Sequence, residues 1–209
     1  MSILESSLAF SFSNAKFVKE AHLLSQMPTD LGAEVAFAGR SNAGKSSVIN
    51  TLCNRRKLAR TSRTPGRTQR FVVYEFATNR RIVDLPGFGF AKVSKTKRDH
   101  WSSEIPRYLE KRRSLIGLIL VVDSRHRLKE QELEILGWCE LQDLPTLLLL
   151  NKADKLNQQE TASVVRDLRR DVDQLTPGTS AQLFSAKAPL GVDSALGVIA
   201  SWFESREKQ

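Results

Sequence analysis

Residues 39–46 have the residue types and the spacing of a phosphate-binding loop. They read Gly-Arg-Ser-Asn-Ala-Gly-Lys-Ser, which is the pattern G-x-x-x-x-G-K-S. The glycines let backbone N–H groups turn inward around phosphate oxygens, Lys45 can reach the β- and γ-phosphates, and the Ser46 hydroxyl can ligate Mg²⁺. An apolar segment precedes the loop and a helical one follows it, so a helix N-terminus would face the anion. This context favours a nucleotide phosphate site over a chance glycine turn.

A second motif, Asp84-Leu-Pro-Gly87, follows a short apolar run. Alone, this tetrapeptide is typical of an ordinary turn. Behind a phosphate loop, however, Asp84 is expected to hold Mg²⁺, usually through water, and the Gly87 N–H is expected to approach a γ-phosphate. The motif therefore adds a second metal position to the predicted nucleotide site.

The third motif, Asn151-Lys-Ala-Asp154, can recognise a guanine base. The Asp154 carboxylate accepts hydrogen bonds, and guanine presents two donors on one edge, N1–H and the N2 amine, a pair that adenine lacks. Asn151 can contact N7 and tie the loop down, while the Lys152 stem can cover the base face. The Ala186 N–H, within Ser-Ala-Lys at 185–187, would donate to guanine O6. A polar strand-to-helix turn explains the tetrapeptide alone, but not three motifs in this order.

Alternating strands and helices are expected to position these motifs. Continuous apolar runs at 115–122 and 146–150 are typical of strands buried on both faces. Further strands are predicted at 34–38, 70–77, 81–84 and 182–185, and helices at 45–53, 97–112, 129–142, 158–173 and 192–204. This order predicts an α/β fold with a mostly parallel sheet. Ligands bind beyond the carboxyl ends of such strands, where the motifs fall.

Length and composition describe an ordinary globular protein and exclude several classes. The chain has 209 residues, 41% hydrophobic and 26% charged, which fits one domain. No apolar run approaches the ~20 residues of a membrane helix, and no basic region precedes a long apolar run at the N-terminus. Cys53 and Cys139 lack the spacing of metal ligands. Reduced thiols in a cytoplasmic protein without a membrane partner are therefore expected.

Positive charge is concentrated in the middle of the chain. The net charge is +9, but residues 39–113 carry 19 basic and 5 acidic residues, whereas the rest carries 13 basic and 18 acidic. Residues 54–70, the basic segment, hold seven basic side chains and no acidic one. Local charge of this kind suits a polyanionic partner. A solvated loop explains the basic segment equally well at this point.

The motifs together resemble the EngB (YihA/YsxC) family of bacterial ribosome-assembly GTPases, in the Era-like branch. Their order matches from residue 39 to 187, and GRSNAGKSS, TSRTPGRTQ and DLPGFGFAKVSK narrow the match to that family. The resemblance implies a three-layer P-loop GTPase domain. Its sheet would have six strands, mostly parallel with one antiparallel strand, and helices on both faces. It also implies one domain over residues 1–209, with residues 1–30 as an N-terminal extension that packs on the domain.

The same resemblance implies roles for individual residues. The loop around residues 65–69 would be switch I, with Thr68 as a Mg²⁺ ligand beside Ser46, and Thr64 is the competing loop threonine. Residues 86–96 would be switch II. Lys45, Thr68 and Asn42 would act in catalysis. The implied nucleotide-binding residues are Gly39, Arg40, Ser41, Asn42, Ala43, Gly44, Lys45, Ser46, Gly66, Arg67, Thr68, Gln69, Arg70, Asp84, Leu85, Pro86, Gly87, Asn151, Lys152, Ala153, Asp154, Phe184, Ser185 and Ala186.

One residue departs from the pattern of Ras-like enzymes. Phe88 follows Gly87, where those enzymes have a glutamine that orients the attacking water. A phenyl ring cannot orient water by hydrogen bonding, so slow turnover is expected, with help from a partner, a cation or another group. Relatives with an asparagine at the position of Asn42 can bind K⁺, which would stabilise transition-state charge. An Asn42 side chain bonded to its own backbone is the alternative, and Arg67 acting within the chain is a weaker source of help.

The expected partners follow from the resemblance. They are GTP and GDP with Mg²⁺, and the large ribosomal subunit, whose rRNA would contact the basic segment as it leads into switch I. The resemblance also implies a link to cell division and septation. The protein is expected to be a monomer in the cytoplasm. Two rivals are a switch that acts on division proteins without RNA and a P-loop kinase or ATPase. Asp154 argues against the second rival, because it would leave adenine unmatched.

Overall fold

A seven-stranded sheet forms the middle layer of the part of the chain that the computed structural model describes. That part comprises residues 11–60, 70–89, 95–175, 178–188 and 190–208. The strands are β1 (Lys16–Ala21), β2 (Ala33–Gly39), β3 (Phe71–Ala77), β4 (Arg80–Asp84), β5 (Leu115–Asp123), β6 (Thr146–Asn151) and β7 (Thr179–Leu183). Their order across the sheet is β1-β3-β4-β2-β5-β6-β7.

Strand β3 runs antiparallel to its two neighbours, β1 and β4, and the other neighbouring pairs are parallel. The expected α/β class, with a mostly parallel sheet and one antiparallel strand, is therefore confirmed. The number of strands differs, because six were expected and the described residues contain seven. The additional strand, β1, pairs along β3 but keeps most of its side chains exposed. It consequently lacks the apolar alternation that reveals a strand in a sequence.

Five α-helices flank the sheet within the described residues. They are α1 (Lys45–Leu52), α2 (Lys95–Lys111), α3 (Glu130–Leu141), α4 (Gln158–Leu175) and α5 (Val192–Glu207). The start of α4 is capped in both directions: Glu160 N donates to Asn157 Oδ1 at 2.9 Å, and Asn157 N donates to Glu160 Oε2 at 2.8 Å. Helix α2 tolerates Pro106 in its interior. In the described part of the chain, no helix combines the length and apolar character needed to cross a membrane.

Two apolar cores cover the opposite faces of the sheet. On one face α1 and α5 pack onto the strands, and Phe76 makes edge-to-face ring contacts with Phe12 and Phe203. On the other face α2 and α3 pack through side chains such as Tyr108 and Leu136. Strand β5 contributes to both cores, as its unbroken apolar run predicts.

A buried ionic cluster lies at the opposite end of β2 from the phosphate loop. The Glu34 side chain is fully buried and accepts hydrogen bonds from Arg112 at 2.9 and 3.1 Å, Arg81 at 3.2 Å and the Tyr108 hydroxyl at 2.8 Å. These partners join β2, β4 and the end of α2. Burial, together with the adjacent Glu34 carboxylate, raises the pKa of Tyr108 well above its ordinary value. The cluster therefore holds three elements together through one carboxylate.

Replacing Glu34 by glutamine should destabilise the fold strongly. The substitution keeps the side-chain volume but leaves two buried guanidinium groups without their shared anion, which typically costs about 3–5 kcal/mol. The free energy of unfolding, measured by urea denaturation, should fall by that amount. Glu20→Gln is the matched control, because Glu20 pairs with Arg70 at 2.8 Å on the exposed surface, where such pairs contribute about 0–1 kcal/mol. Equal effects of the two substitutions would contradict this account.

Candidate functional site

The phosphate loop lies between β2 and α1 and bends where glycine is required. Gly44 has a φ of +96°, and a Cβ atom there would lie 2.3 Å from Asn151 Nδ2. An L side chain would therefore be strained and would also collide with Asn151. Ser41 N donates to Phe88 O at 2.9 Å, which holds the loop against the chain that follows β4. A Cβ atom at Gly87 would lie 3.0 Å from Ser41 Oγ, so the two loops approach closely.

Lys45 and Asp84 meet at the bottom of this loop. Both side chains are buried, and Lys45 Nζ contacts Asp84 Oδ1. The parallel pairing of β2 with β4 explains the contact, because it places Asp84 beside Phe37 and thus next to the phosphate loop. Leu85 N donates to Phe37 O at 2.9 Å and continues this pairing, with Pro86 buried behind it. Ser46 is half-buried in the first turn of α1.

The Asn151 side chain connects three loops. Its Nδ2 donates to the Ala43 carbonyl at 2.8 Å, and its Oδ1 accepts from the Ala186 N–H at 3.3 Å. Asn151 ends β6 and is itself buried. The expectation that this residue ties the loop down is therefore realised through the phosphate loop and the Ser-Ala-Lys segment together.

Lys152 lies across the phosphate loop and pairs with an aspartate that the sequence analysis did not single out. Its Nζ donates to the Asn42 carbonyl at 2.7 Å and to Asp123 Oδ2 at 2.8 Å. Asp123 also accepts from Arg125 at 2.7 and 2.9 Å. Burial alone would raise the pKa of Asp123, but the hydrogen bonds from Arg125 and Lys152 outweigh it and hold that pKa well below its usual range.

A signal for Asp123 was present in the sequence. It is the last residue of the apolar run of β5 and lies beside Asn151 in the parallel register. Polar residues at the carboxyl ends of neighbouring strands share one edge of the sheet. The rule that located Asn151 therefore locates Asp123 as well.

Asp154 lies at the carboxyl edge of the sheet, and one of its carboxylate oxygens already accepts a hydrogen bond. The buried Ser185 hydroxyl donates to Asp154 Oδ1 at 2.7 Å and accepts from the N–H groups of Lys187 at 3.2 Å and Ala188 at 3.0 Å. This hydrogen bond from Ser185 lowers the pKa of Asp154. The adjoining loop is fixed by Ala153 N, which donates to Phe184 O at 3.1 Å. The carboxylate is thus oriented and kept ionised.

Two expected nucleotide-binding residues turn their side chains to other partners. Arg40 donates to Gly89 O at 3.2 Å and to Gln131 Oε1 at 3.4 Å, and its Nε lies 3.8 Å from Glu132 Oε1. Arg70 pairs with Glu20 of β1. The structure therefore does not bring either guanidinium to the phosphate loop.

Several expectations lie outside the described residues. They are Gly66, Arg67, Thr68 and Gln69 of switch I, the competing Thr64, and residues 90–94 of switch II. The residues brought together at one edge of the sheet are those of the phosphate loop, residues 84–87, 151–154 and 184–186.

The fold and this edge define the class of protein. A lysine-bearing phosphate loop after β2, an aspartate at the end of β4 and an Asn-Lys-Ala-Asp loop after β6 are the parts of a P-loop GTPase, assembled here on one α/β sheet. A family model described as "50S ribosome-binding GTPase" matches residues 34–152.

Individual relatives narrow the class to one family. A protein named "Probable GTP-binding protein EngB" from Colwellia psychrerythraea is 43% identical over 204 residues, which cover 98% of this chain and 91% of that protein. Its namesake from Xylella fastidiosa (strain Temecula1) is 46% identical over 189 residues, or 90% and 93% of the two chains. A crystal structure of a probable GTP-binding protein engB, 26% identical, matches with a TM-score of 0.63 and covers 83% of this chain and 100% of that one. The chain belongs to the EngB family of GTP-binding proteins, and it is a GTPase.

Removing the Asn151 amide should destabilise the protein even without nucleotide. Asn151→Ala leaves the Ala43 carbonyl and the Ala186 N–H without their partner, and an unsatisfied buried group typically costs about 1–3 kcal/mol. Urea denaturation of the nucleotide-free protein should register that loss. Gln142→Ala, at the exposed end of α3, is the control and should change stability by less than about 0.5 kcal/mol. A wild-type-like Asn151→Ala would show that the clamp contributes nothing to the fold.

Proposed function

We propose that the four loops at the carboxyl edge bind GTP and GDP through the residues singled out from the sequence. The observation that carries this proposal is the orientation of Asp154 by Ser185, because an ionised and fixed carboxylate suits the two donors of guanine. The Ala186 N–H lies at the same edge and is the proposed donor to guanine O6. Lys45 and the backbone of residues 39–46 would hold the phosphates.

The same residues fit Mg²⁺. This ion is usually held by one or two protein oxygens together with phosphate oxygens and water. The Ser46 hydroxyl, next to Lys45 in the chain, and the Asp84 carboxylate, in contact with Lys45, supply oxygen atoms, and Thr68 is the proposed further ligand from switch I. When bound, Mg²⁺ would neutralise charge on the β- and γ-phosphates.

Hydrolysis is proposed to be slow and to depend on a cation. Phe88 is buried in the apolar core beside α2, so it cannot take the place of a water-orienting glutamine. Asn42 is exposed in the phosphate loop, and its side chain makes no hydrogen bond within the described residues. The alternative, an Asn42 side chain bonded to its own backbone, therefore loses support, and its amide oxygen is available to a K⁺ ion.

GTP turnover should be faster in KCl than in NaCl of equal ionic strength. We expect at least about a tenfold ratio, because one electrostatic contact to developing charge commonly contributes ~10²–10³ in rate. Asn42→Gly accepts the φ of +71° at this position and removes the proposed ligand, so its KCl/NaCl ratio should fall to about one. Initial rates of phosphate release measure both. Equal wild-type rates in the two salts would rule the cation role out.

The proposed role of the protein is that of a GTP-gated assembly factor for the large ribosomal subunit. Arg55, Arg56, Lys57 and Arg60 are exposed, and within the described residues none of them forms an ion pair. Unpaired cations in a group favour a polyanion over a solvated loop stabilised by its own acids. The name of the matching family model, a 50S ribosome-binding GTPase, supports the same partner.

Co-sedimentation through a sucrose cushion tests this role. Protein and isolated subunits would be mixed at several salt concentrations with a non-hydrolysable GTP analogue, with GDP or without nucleotide. We expect salt-sensitive pelleting with the large subunit, strongest with the analogue, and its loss in the triple variant Arg55→Glu, Arg56→Glu, Lys57→Glu. The control variant reverses three cations outside the basic segment, Arg127, Arg166 and Arg170, and should still pellet. Unchanged pelleting of the first variant would remove the basic segment from the interface.

A second candidate is a GTPase switch that acts directly on septum proteins during cell division, without RNA. Such a switch would account for the link to cell division that the resemblance implies, but a shortage of ribosomes would account for it as well. No pelleting in any nucleotide state would favour this candidate. For either role we propose a cytoplasmic monomer, which suits the two free and buried cysteines.

A further inference from the structure

The first part of the basic segment is built as a fixed turn, and this has a consequence for how the protein is regulated. We propose that residues 54–60, the basic turn, hold RNA phosphates with the same geometry in the GTP-bound and GDP-bound states. This inference rests on the proposed contact with rRNA. It assigns to the basic turn the part of the affinity that does not depend on nucleotide.

One buried residue, Asn50, holds both ends of the basic turn, one through its side chain and the other through its backbone carbonyl. Asn50 Nδ2 donates to the Ala59 carbonyl at 2.9 Å, and Asn50 Oδ1 accepts from the Ala59 N–H at 2.8 Å. The Asn50 carbonyl accepts from Arg55 N at 2.8 Å. The amide thus pairs with Ala59 as a neighbouring strand would. Because these groups are buried, breaking the pairing would leave a donor and an acceptor unsatisfied.

Apolar contacts hold the same turn to the core. Cys53 and Ala59 are buried at its two ends, and Leu58 packs against the core beside α1 and α5. Asn54 takes a φ of +48°, a left-handed conformation that asparagine tolerates and that reverses the chain. The turn is therefore ordered by packing as well as by hydrogen bonds.

Within the described residues, the hydrogen bonds of the basic turn lie away from the phosphate loop and from residues 84–87. They come from the later turns of α1 and from Ser13, whose carbonyl accepts from Arg55 Nη1 at 3.2 Å. None of the hydrogen bonds found for the basic turn in the described residues involves residues 39–46 or 84–87. A nucleotide shifts a conformation only through contacts that differ between its states. In the described part of the chain the basic turn makes no hydrogen bond to residues 39–46 or 84–87, so it should keep its shape.

The exposed cations give the basic turn its partner. Arg55, Arg56, Lys57 and Arg60 lie within six positions, and no acidic side chain pairs with them in the described part of the chain. Each phosphate contact releases counterions and adds about 0.7–0.9 to the slope of log affinity against log salt. The ordered backbone increases the net affinity for phosphates, because less conformational entropy is lost on binding.

Binding isotherms of the full chain with large subunits test the proposal. They would be recorded at several salt concentrations, once with GDP and once with a non-hydrolysable GTP analogue. The test variant is Arg56→Gln, Lys57→Gln, Arg60→Gln, and the matched control is Arg127→Gln, Arg166→Gln, Arg170→Gln. We expect the test variant to lower the salt slope by about 2–3 in both nucleotide states, and the control to lower it in neither. A loss confined to the analogue-bound state would overturn the inference while leaving the assembly role intact.

Hydrogen exchange of the Ala59 amide provides an independent readout. This N–H donates to a buried oxygen, so it should exchange slowly and at the same rate with GDP and with the analogue. A tenfold or larger difference between the two states would overturn the proposed rigidity. Absence of subunit binding in every state would instead overturn the assembly role, and the RNA assignment of the basic turn with it.

Discussion

The Asn151 side chain is the contact on which the assembly of the site depends. Its amide bonds the Ala43 carbonyl on one side and the Ala186 N–H on the other, so the phosphate loop and the loops that follow β6 and β7 form one unit before any ligand arrives. The closeness of that amide leaves no room for a side chain at Gly44. Lys152 and Asp154 follow Asn151 directly, and their partners Asp123 and Ser185 fix them in turn. The arrangement of the proposed base and phosphate positions therefore depends on the loops that Asn151 joins at the end of β6.

Strand β2 has a buried ionic cluster near one end and the phosphate loop at the other. Glu34 near its start is buried among two arginines and a tyrosine, whereas Gly39 at its end opens into the phosphate loop. The Glu34 cluster fixes β4 and α2 relative to β2. Because Asp84 ends β4, the position of that carboxylate beside Lys45 depends on a cluster at the far end of the sheet. The stabilising cluster and the phosphate loop thus lie at opposite ends of β2, and the strands of one sheet connect them.

Residues in a motif that coincides with a strand end could be placed from the sequence. Parallel strands bring such ends to one edge, so the motif order was enough to place Asp84 and Asn151 together. Prediction from the sequence failed where contacts join residues far apart in the chain. Glu34 looks like an ordinary polar residue of a short strand, because its partners lie 47 to 78 positions away. Arg40 could not be oriented, since Gln131 and Gly89 compete for it with the phosphate loop. Strand β1 was not predicted, because its pairing with β3 depends on the backbone rather than on apolar side chains.

Strand β1 also decides what the sheet presents to other molecules. Without it β3, whose sequence is Phe-Val-Val-Tyr-Glu-Phe-Ala, would be the outermost strand, with a long row of open backbone groups and a high β-propensity. Such an edge is a template for strand addition between molecules and hence for aggregation. The short β1 covers it, its pairing with β3 has an irregularity in the register between Phe17 and Lys19, and the strand carries two lysines, Lys16 and Lys19. The lysine-bearing β1 thus covers a sheet edge that would otherwise favour aggregation.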